Sequence, residues 1–208
     1  MLDLVEMGKV RYIGASSMYV YQFLGMQHVA ERNGWTKFVS MQNYYNLLYR
    51  EEEREMLPAC LETGVGYPRC PIFNSNSRVI PWSPIARGAL AKPLDASSLR
   101  SETDGFLQVL GLKQVKDAEK DIINRVQEIA KKKGYSMAQI ATAWILSKKS
   151  NFLLTSFWQA AVTAPIVGLN SEKRIKEMVE AVSIELTEDE IKYLEEPYVP
   201  RPVSGGLA

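Results

Sequence analysis

Residues 9–34 read KVRYIGASSMYVYQFLGMQHVAERNG, and the order of patterns within them sets the fold class. Residues 9–15, KVRYIGA, predict a short strand running into Ser16-Ser17. The spacing then changes to that of a helix over 18–33, with Val20, Phe23 and Leu24 on one face and Met26, Val29 and Ala30 beside it. Gly34 stops that helix. A strand followed directly by an amphipathic helix is the first half of a parallel crossover.

The same order returns three times. Residues 38–42, FVSMQ, predict a second strand that ends in Asn43-Tyr44-Tyr45-Asn46. A charged helix over 50–62 follows, kinked at Pro58 and closed by Gly64. Residues 79–82, VIPW, predict a third strand ending at Ser83-Pro84, and 85–117 form a long connection without a clear period. Two helices come next. Helix 118–133 aligns Ile122, Val126, Ile129 and Ala130, and helix 137–147 aligns Met137, Ile140, Ala141, Trp144 and Ile145 behind a Ser136/Gln139 capping box. A fourth strand over 165–168, PIVG, leads through Asn170-Ser171 into a helix with Ile175, Met178, Val179 and Val182 on one face. Thr187 and Glu190 cap a final helix at 188–196, and residues 197–208 read as a Pro/Gly-rich surface tail.

Four such units predict an α/β fold of parallel strands with helical crossovers, whose ligand site lies at the C-terminal strand ends. Those ends carry Ser16-Ser17, Gln42-Asn43, Trp82-Ser83 and Gly168-Leu169-Asn170-Ser171. In the last turn, a helix N-terminus with Arg174 in its first turn suits a phosphate, because free N–H groups and a guanidinium meet there. An ordinary capped helix with a solvated arginine fits the same spacing. Trp82 has the shape to stack on a planar ring, although an isolated tryptophan also fits a core.

Composition removes other classes. The 208 residues hold 25 Lys and Arg against 24 Asp and Glu, a formal net charge of +1, so no nucleic-acid partner is expected. One histidine, two cysteines and no HExxH or CxxC spacing predict no metal site. Cys60 and Cys70 are too few for a disulfide scaffold, which points to a reducing, cytoplasmic setting. The N-terminal stretch carries Asp3 and Glu6 and does not read as a signal peptide. The uncharged stretch 150–171 is interrupted by polar residues and proline, so no membrane span is expected.

Five ordered motifs carry a family resemblance: MGKVRYIGASS at 7–17, QNYYNLLYREEEREMLP at 42–58, VIPWSPIARGAL at 79–90, APIVGLNSEKRIKE at 164–177 and LTEDEIKYLEEPYVP at 186–200. Together they resemble the C-terminal half of the aldo-keto reductases, in the aryl-alcohol-dehydrogenase-like and versiconal-reductase-like branch. The resemblance implies a partial (β/α)8 TIM barrel, about strands five to eight with their helices, as a single truncated domain over 1–208. It implies NADP(H) as cofactor, no metal, and a small carbonyl substrate, an aldehyde or ketone with aromatic ones included, reduced to an alcohol. By resemblance, Ser16, Ser17 and Gln42 hold the nicotinamide carboxamide and Trp82 stacks on its ring. Ser83, Pro84, Ile85, Arg87 and Gly88 line the pyrophosphate, and Gly168, Asn170, Arg174 and Glu177 surround the adenosine and its 2′-phosphate.

The family's chemistry uses a tyrosine acid helped by lysine, aspartate and histidine, all on the first half of its barrel. An unassisted tyrosine, with a pKa of about 10, is a slow proton donor near neutrality. No residue here matches that set. His28 falls in a helix away from the strand ends, and Tyr44, Tyr45 and Tyr49 lack a lysine at a matching strand end. The chain alone is therefore expected to be inactive. Alternatives are a non-catalytic nucleotide-binding or interaction module and a non-functional truncated product. Residues 67–78 and 150–161 interrupt the family pattern and read as translated intron remnants or surface loops. Open barrel edges predict self-association.

Overall fold

The structure is a computed structural model that describes residues 2–63, 65, 79–95, 116–148, 162 and 164–203. Strand β1, Gly14–Ser16, pairs in parallel with β2, Ser40–Gln42, placing Gly14 beside Ser40 and Ser16 beside Gln42. The pairing is close. A Cβ at Gly14 would run into the Ser40 hydroxyl, so a larger residue here requires the Ser40 side chain to turn away.

The third and fourth expected strands are present as isolated parallel bridges rather than as ladders. Val79 pairs with Met41 and Trp82 with Tyr44, while Val162 and Ile166 pair in turn with Val79 and Trp82. The hydrogen bonds show why the ladder stays incomplete. Ile80 and Trp82 donate to the carbonyls of Met41 and Asn43, both at 2.8 Å, so residue 81 faces the fourth run. Residue 81 is a proline; its carbonyl accepts from Ile166 at 2.8 Å, but it has no N–H to return. Strand β1 is likewise shorter than the expected 9–15, because Lys9 and Val10 donate back to Leu4 at the end of α1, Leu2–Glu6.

Helix α2, Val20–Arg32, turns a different face inward from the one its apolar spacing suggests. Phe23, Gln27 and Ala30 are buried, whereas Leu24, Met26 and Val29 are exposed. Gln27 is accepted inside because both ends of its amide are satisfied. Its Nε2 donates to the Phe38 carbonyl at 3.0 Å and its Oε1 accepts from the Phe38 N–H at 2.8 Å. The expected helix at 50–62 is two pieces, a 3₁₀ turn at Glu51–Glu53 and α3, Met56–Glu62. The break precedes Pro58, which sits in the first turn of α3, where a missing N–H costs nothing.

Helices α4, Asp117–Lys133, and α5, Met137–Ser147, match the sequence reading closely. Helix α4 buries one stripe, Ile122, Val126 and Ile129 among it. Helix α5 is buried nearly all round, and Trp144 is fully enclosed, which is why its sequence is apolar on every face. Its capping box is as expected: Ser136 Oγ accepts from Gln139 N at 3.2 Å and Gln139 Oε1 from Ser136 N at 2.9 Å. Met41, Tyr45, Leu57, Val79, Val126 and Trp144 belong to one continuous core.

Helix α6, Glu172–Glu180, buries only Met178 of its expected apolar face. Ile175, Val179 and Val182 remain exposed, and no described element covers them. Helix α7, Glu188–Glu195, closes the described helices. Residues 197–203 run over the surface and are anchored by two side chains. Tyr198 donates its hydroxyl to Glu51 at 2.7 Å, and Arg201 lies 2.9 Å from the buried carboxylate of Glu119. The interrupting stretches 67–78 and 150–161, and the tail beyond 203, lie outside the described residues. Among the described residues, no helix is long and apolar enough to cross a membrane.

Candidate functional site

The parallel register brings the ends of the first three runs together. Ser16 and Gln42 are register partners, and the Gln42 carbonyl accepts twice, from Ser16 Oγ at 2.7 Å and from Ser17 N at 3.1 Å. Ser17 sits in the left-handed region, with φ of 27°, which ends the strand abruptly. Its hydroxyl accepts from the indole Nε1 of Trp82 at 3.1 Å. The ring of that indole packs on Tyr44, with ring centroids 4.6 Å apart at 35°. Trp82 is thus half-buried and held from three directions, its backbone N–H included.

Beyond Trp82 the chain turns tightly. Ser83, Ala86, Arg87 and Gly88 all have positive φ, at 55°, 47°, 54° and 102°. Only glycine takes such values freely, so three side-chain-bearing residues are held there against their preference, a cost of order 1–3 kcal/mol each. The holding bonds are visible. Ala86 donates to Ser83 O and Gly88 to Ile85 O, both at 2.9 Å, and Asn46 Nδ2 donates to Ser83 O at 3.1 Å. Pro84 is buried beneath the turn, and Arg87 is half-exposed.

The fourth run joins through the Trp82–Ile166 bridge, and two residues further the neighbouring chains are at Pro84 and Gly168. Among the described residues no atom lies within 4 Å of where a Cβ at Gly168 would stand. Ser171 caps α6 by accepting from Arg174 N at 3.4 Å, and the Arg174 guanidinium donates to Asn170 Oδ1 at 2.8 Å. Arg174 therefore stands exposed over the last turn with its side chain oriented. Glu177, one turn further on, faces away toward α5. Its carboxylate accepts from the Ser136 hydroxyl and its backbone carbonyl from Gln139 Nε2 at 3.1 Å.

Sequence reading put Asn43 at a strand end and considered Tyr44 only as an acid, and it assigned no supporting role to the groups behind this mouth. Tyr44 and Asn46 lie in the run Asn43–Asn46, where polar and aromatic residues directly follow a strand; that composition was the available signal. Asn43 donates to the buried carboxylate of Glu52 at 2.7 Å. Burial, only partly offset by that hydrogen bond and reinforced by neighbouring Glu51, pushes the Glu52 carboxyl up to about 8.

Four described tyrosines are displaced, each away from the range of an acid at neutrality. Burial pushes Tyr44 up to about 12, and burial with the Glu53 carboxylate holds Tyr45 well above the ordinary phenol value. Tyr193 and Tyr198 are also displaced upward. His28 is exposed on α2, away from the strand ends. Among the described residues no group of three or more His, Cys, Asp or Glu is placed to hold a metal. A cavity of about 970 Å³ opens beside the mouth, between α1, β1 and α2, lined by Ile13, Met18, Tyr21, Met26, Val29 and Trp35, with Ser16 and Ser17 also on its wall.

Three comparisons bear on this geometry. The model of the Aldo/keto reductase family matches residues 1–198. Versiconal hemiacetal acetate reductase of Aspergillus parasiticus is 50% identical over 205 residues, which cover 98% of this chain and 53% of that protein. A putative aryl-alcohol dehydrogenase of Schizosaccharomyces pombe is 48% identical over 207 residues, 99% of this chain and 51% of that protein. The chain thus spans about half the length of the curated relatives it matches. Among solved structures, a thermostable aldo-keto reductase in complex with the inhibitor epalrestat superposes with a TM-score of 0.56 at 22% identity, over 94% of this chain and 51% of that one. That likeness establishes the fold type.

Proposed function

The chain belongs to the aldo/keto reductase family, and from that premise we propose that it carries the C-terminal, dinucleotide-binding half of an NADP(H)-dependent carbonyl reductase. The observation that carries this reading is the convergence on one mouth of the ends of two paired strands and of two further runs bridged to them. There two hydroxyls, a fixed indole, a strained turn and a capped helix with an oriented arginine stand in chain order. The donor set fits a dinucleotide. Ser16, Ser17 and Gln42 offer amide-recognising groups, and Trp82 offers a ring face. The turn Ser83–Gly88 offers backbone around a pyrophosphate, and Arg174 with Asn170 and Gly168 fits the phosphorylated adenosine end. Glu177 would reach that end only by leaving Ser136.

When bound, the reduced dinucleotide supplies the hydride for reduction of an aldehyde or ketone, aromatic ones included. This chain's residues would bind and orient it. The proton is another matter, because among the described residues every displaced tyrosine is displaced upward and no lysine or histidine accompanies one at the mouth. The chain as given is therefore a binding half without the acid, four of the eight strand–helix units of a barrel.

Calorimetric titration tests the assignment of Arg174. NADPH is expected to bind more tightly than NADH, and Arg174→Ala to weaken NADPH by about tenfold with little change for NADH, since only the former carries a 2′-phosphate. Equal affinity for the two dinucleotides in the unaltered chain would refute it. Aldehyde-dependent NADPH oxidation is expected to be absent.

Self-association belongs to the same reading. Helix α2 exposes Leu24, Met26 and Val29, and α6 exposes Ile175 and Val179, apolar side chains a second copy could cover. Sedimentation of the chain as given is expected to show dimers or larger species, and a monodisperse monomer would count against the half-barrel arrangement.

A further inference from the structure

We infer that Asn46 is a positioning residue for the mouth: its buried amide clamps the Ser83 carbonyl and so sets the shape of the strained turn Ser83–Gly88, against which the pyrophosphate of a dinucleotide would lie. The ligand rests on the dinucleotide reading of the mouth; the clamp does not.

The turn cannot hold its shape unaided. Ser83, Ala86 and Arg87 carry side chains at φ of 55°, 47° and 54°, and such conformations persist only where the surroundings over-determine them. The Ser83 carbonyl opens the turn and accepts two bonds, from Ala86 N at 2.9 Å and from Asn46 Nδ2 at 3.1 Å. The first bond lies inside the turn and moves with it. The second comes from 37 positions away and ties the turn to the run that follows β2.

Asn46 is itself held at every polar group the clamp needs. The residue is fully enclosed. Its Oδ1 accepts from Leu48 N at 2.9 Å while its Nδ2 gives to Ser83 O. A backbone N–H only donates and a carbonyl only accepts, so these two partners fix which end of the amide is which. The backbone is fixed as well, since Asn46 N donates to Tyr49 O at 3.1 Å and Tyr49 N to Asn46 O at 3.0 Å. The next residue, Arg50, gives its N–H to the Tyr198 hydroxyl at 2.8 Å, so the tail backs this loop.

The clamp needs an acceptor and a donor on one short side chain. An ionised aspartate has the acceptor and lacks the donor, and alanine lacks both. Without the donor the Ser83 carbonyl keeps only the bond internal to the turn, and the backbone relaxes toward conformations its side chains prefer.

The test sets Asn46→Asp and Asn46→Ala beside Tyr198→Phe in the full chain. Asn46→Asp keeps the acceptor for Leu48 N, and Asn46→Ala brings no charge. Tyr198→Phe loosens the same loop and leaves the donor to Ser83 in place. Each is read by hydrogen exchange over residues 83–88 without ligand, and by calorimetry with NADPH and with adenosine 2′-phosphate, which has no pyrophosphate. Both Asn46 variants are expected to speed exchange over 83–88 and to weaken NADPH, each by about tenfold, while adenosine 2′-phosphate changes by less than about twofold. Tyr198→Phe is expected to lower the urea midpoint and to leave the ratio of the two affinities unchanged. Exchange over 83–88 that neither Asn46 variant moves, or that Tyr198→Phe moves as far, overturns the clamp. Equal weakening of both ligands by the Asn46 variants overturns the positioning role. Failure of the unaltered chain to bind either ligand overturns the dinucleotide reading instead, and hydrogen exchange then still decides the clamp.

Discussion

Replacing Arg201 with methionine is expected to lower the stability of the chain by about 3–5 kcal/mol, the largest effect of any single substitution outside the central core. Arg201 and Glu119 are both nearly enclosed, with 9% and 7% of their side chains exposed, and their charged atoms are 2.9 Å apart. The Glu119 carboxylate has a second task, accepting from Lys116 N at 3.1 Å at the start of α4. Arg201 also donates to the Leu48 carbonyl at 3.3 Å, and its backbone N–H donates to Glu51 at 2.7 Å. Removing the guanidinium leaves the nearly enclosed Glu119 carboxylate without the cation that stands 2.9 Å from it. The cost comes from that orphaned charge more than from the lost attraction. The double variant Arg201→Met with Glu119→Gln is accordingly expected to regain most of the loss, since Gln keeps an oxygen for Lys116 N. Urea denaturation of both variants reads the difference. Additive losses would show that the pair is not coupled.

Stability is expected to fall as pH rises from about 4.5 to about 8, and Glu52→Gln is expected to flatten that fall. Burial, against the opposing hydrogen bond from Asn43 and with Glu51 adding to it, lifts the Glu52 carboxyl from its ordinary value of 4.5 to about 8. The folded chain therefore binds this proton more tightly than the unfolded chain does. The stabilisation is complete below about 4.5 and is lost as pH passes upward through the folded value. Its slope is about 1.4 kcal/mol per pH unit at most. Glutamine mimics the protonated form and still accepts from Asn43 Nδ2. Glu53 and Glu190 act in the opposite sense in acid. Burial raises both, but Arg50 outweighs it at Glu53, and a backbone bond from Thr187 with Lys133 outweighs it at Glu190. Unfolding midpoints at pH 5 and pH 8 check the prediction, and a variant that keeps the full slope would contradict it.

Much of this fold was legible because it rests on local chemistry. The capping boxes at Ser136 and Thr187, the buried helix α5 and the strand-to-helix turn at Ser16-Ser17 follow from residues a few positions apart. Two things were not legible for physical reasons. Apolar periodicity on α2 and α6 marks the residues that want cover, and it does not say whether cover is present. Leu24, Met26, Val29, Ile175 and Val179 stayed exposed, while Gln27 went inside because Phe38 met both ends of its amide. Proline inside a strand pattern was visible at 81, yet its effect depends on which neighbour that residue faces, and pairing alone decides this. In the site, the strand ends were readable as small hydroxyls and an indole. Their polarity was not, because donor and acceptor roles depend on partners as far apart as Ser17 and Trp82.

Titration of the chain with NADPH, followed by tryptophan fluorescence, tests the central claim most directly. The account predicts saturable quenching that disappears in Trp82→Phe, since the ring meant to cover Trp82 is the one that quenches it. Quenching of equal size in Trp82→Phe, or none at saturating NADPH in the unaltered chain, would contradict it.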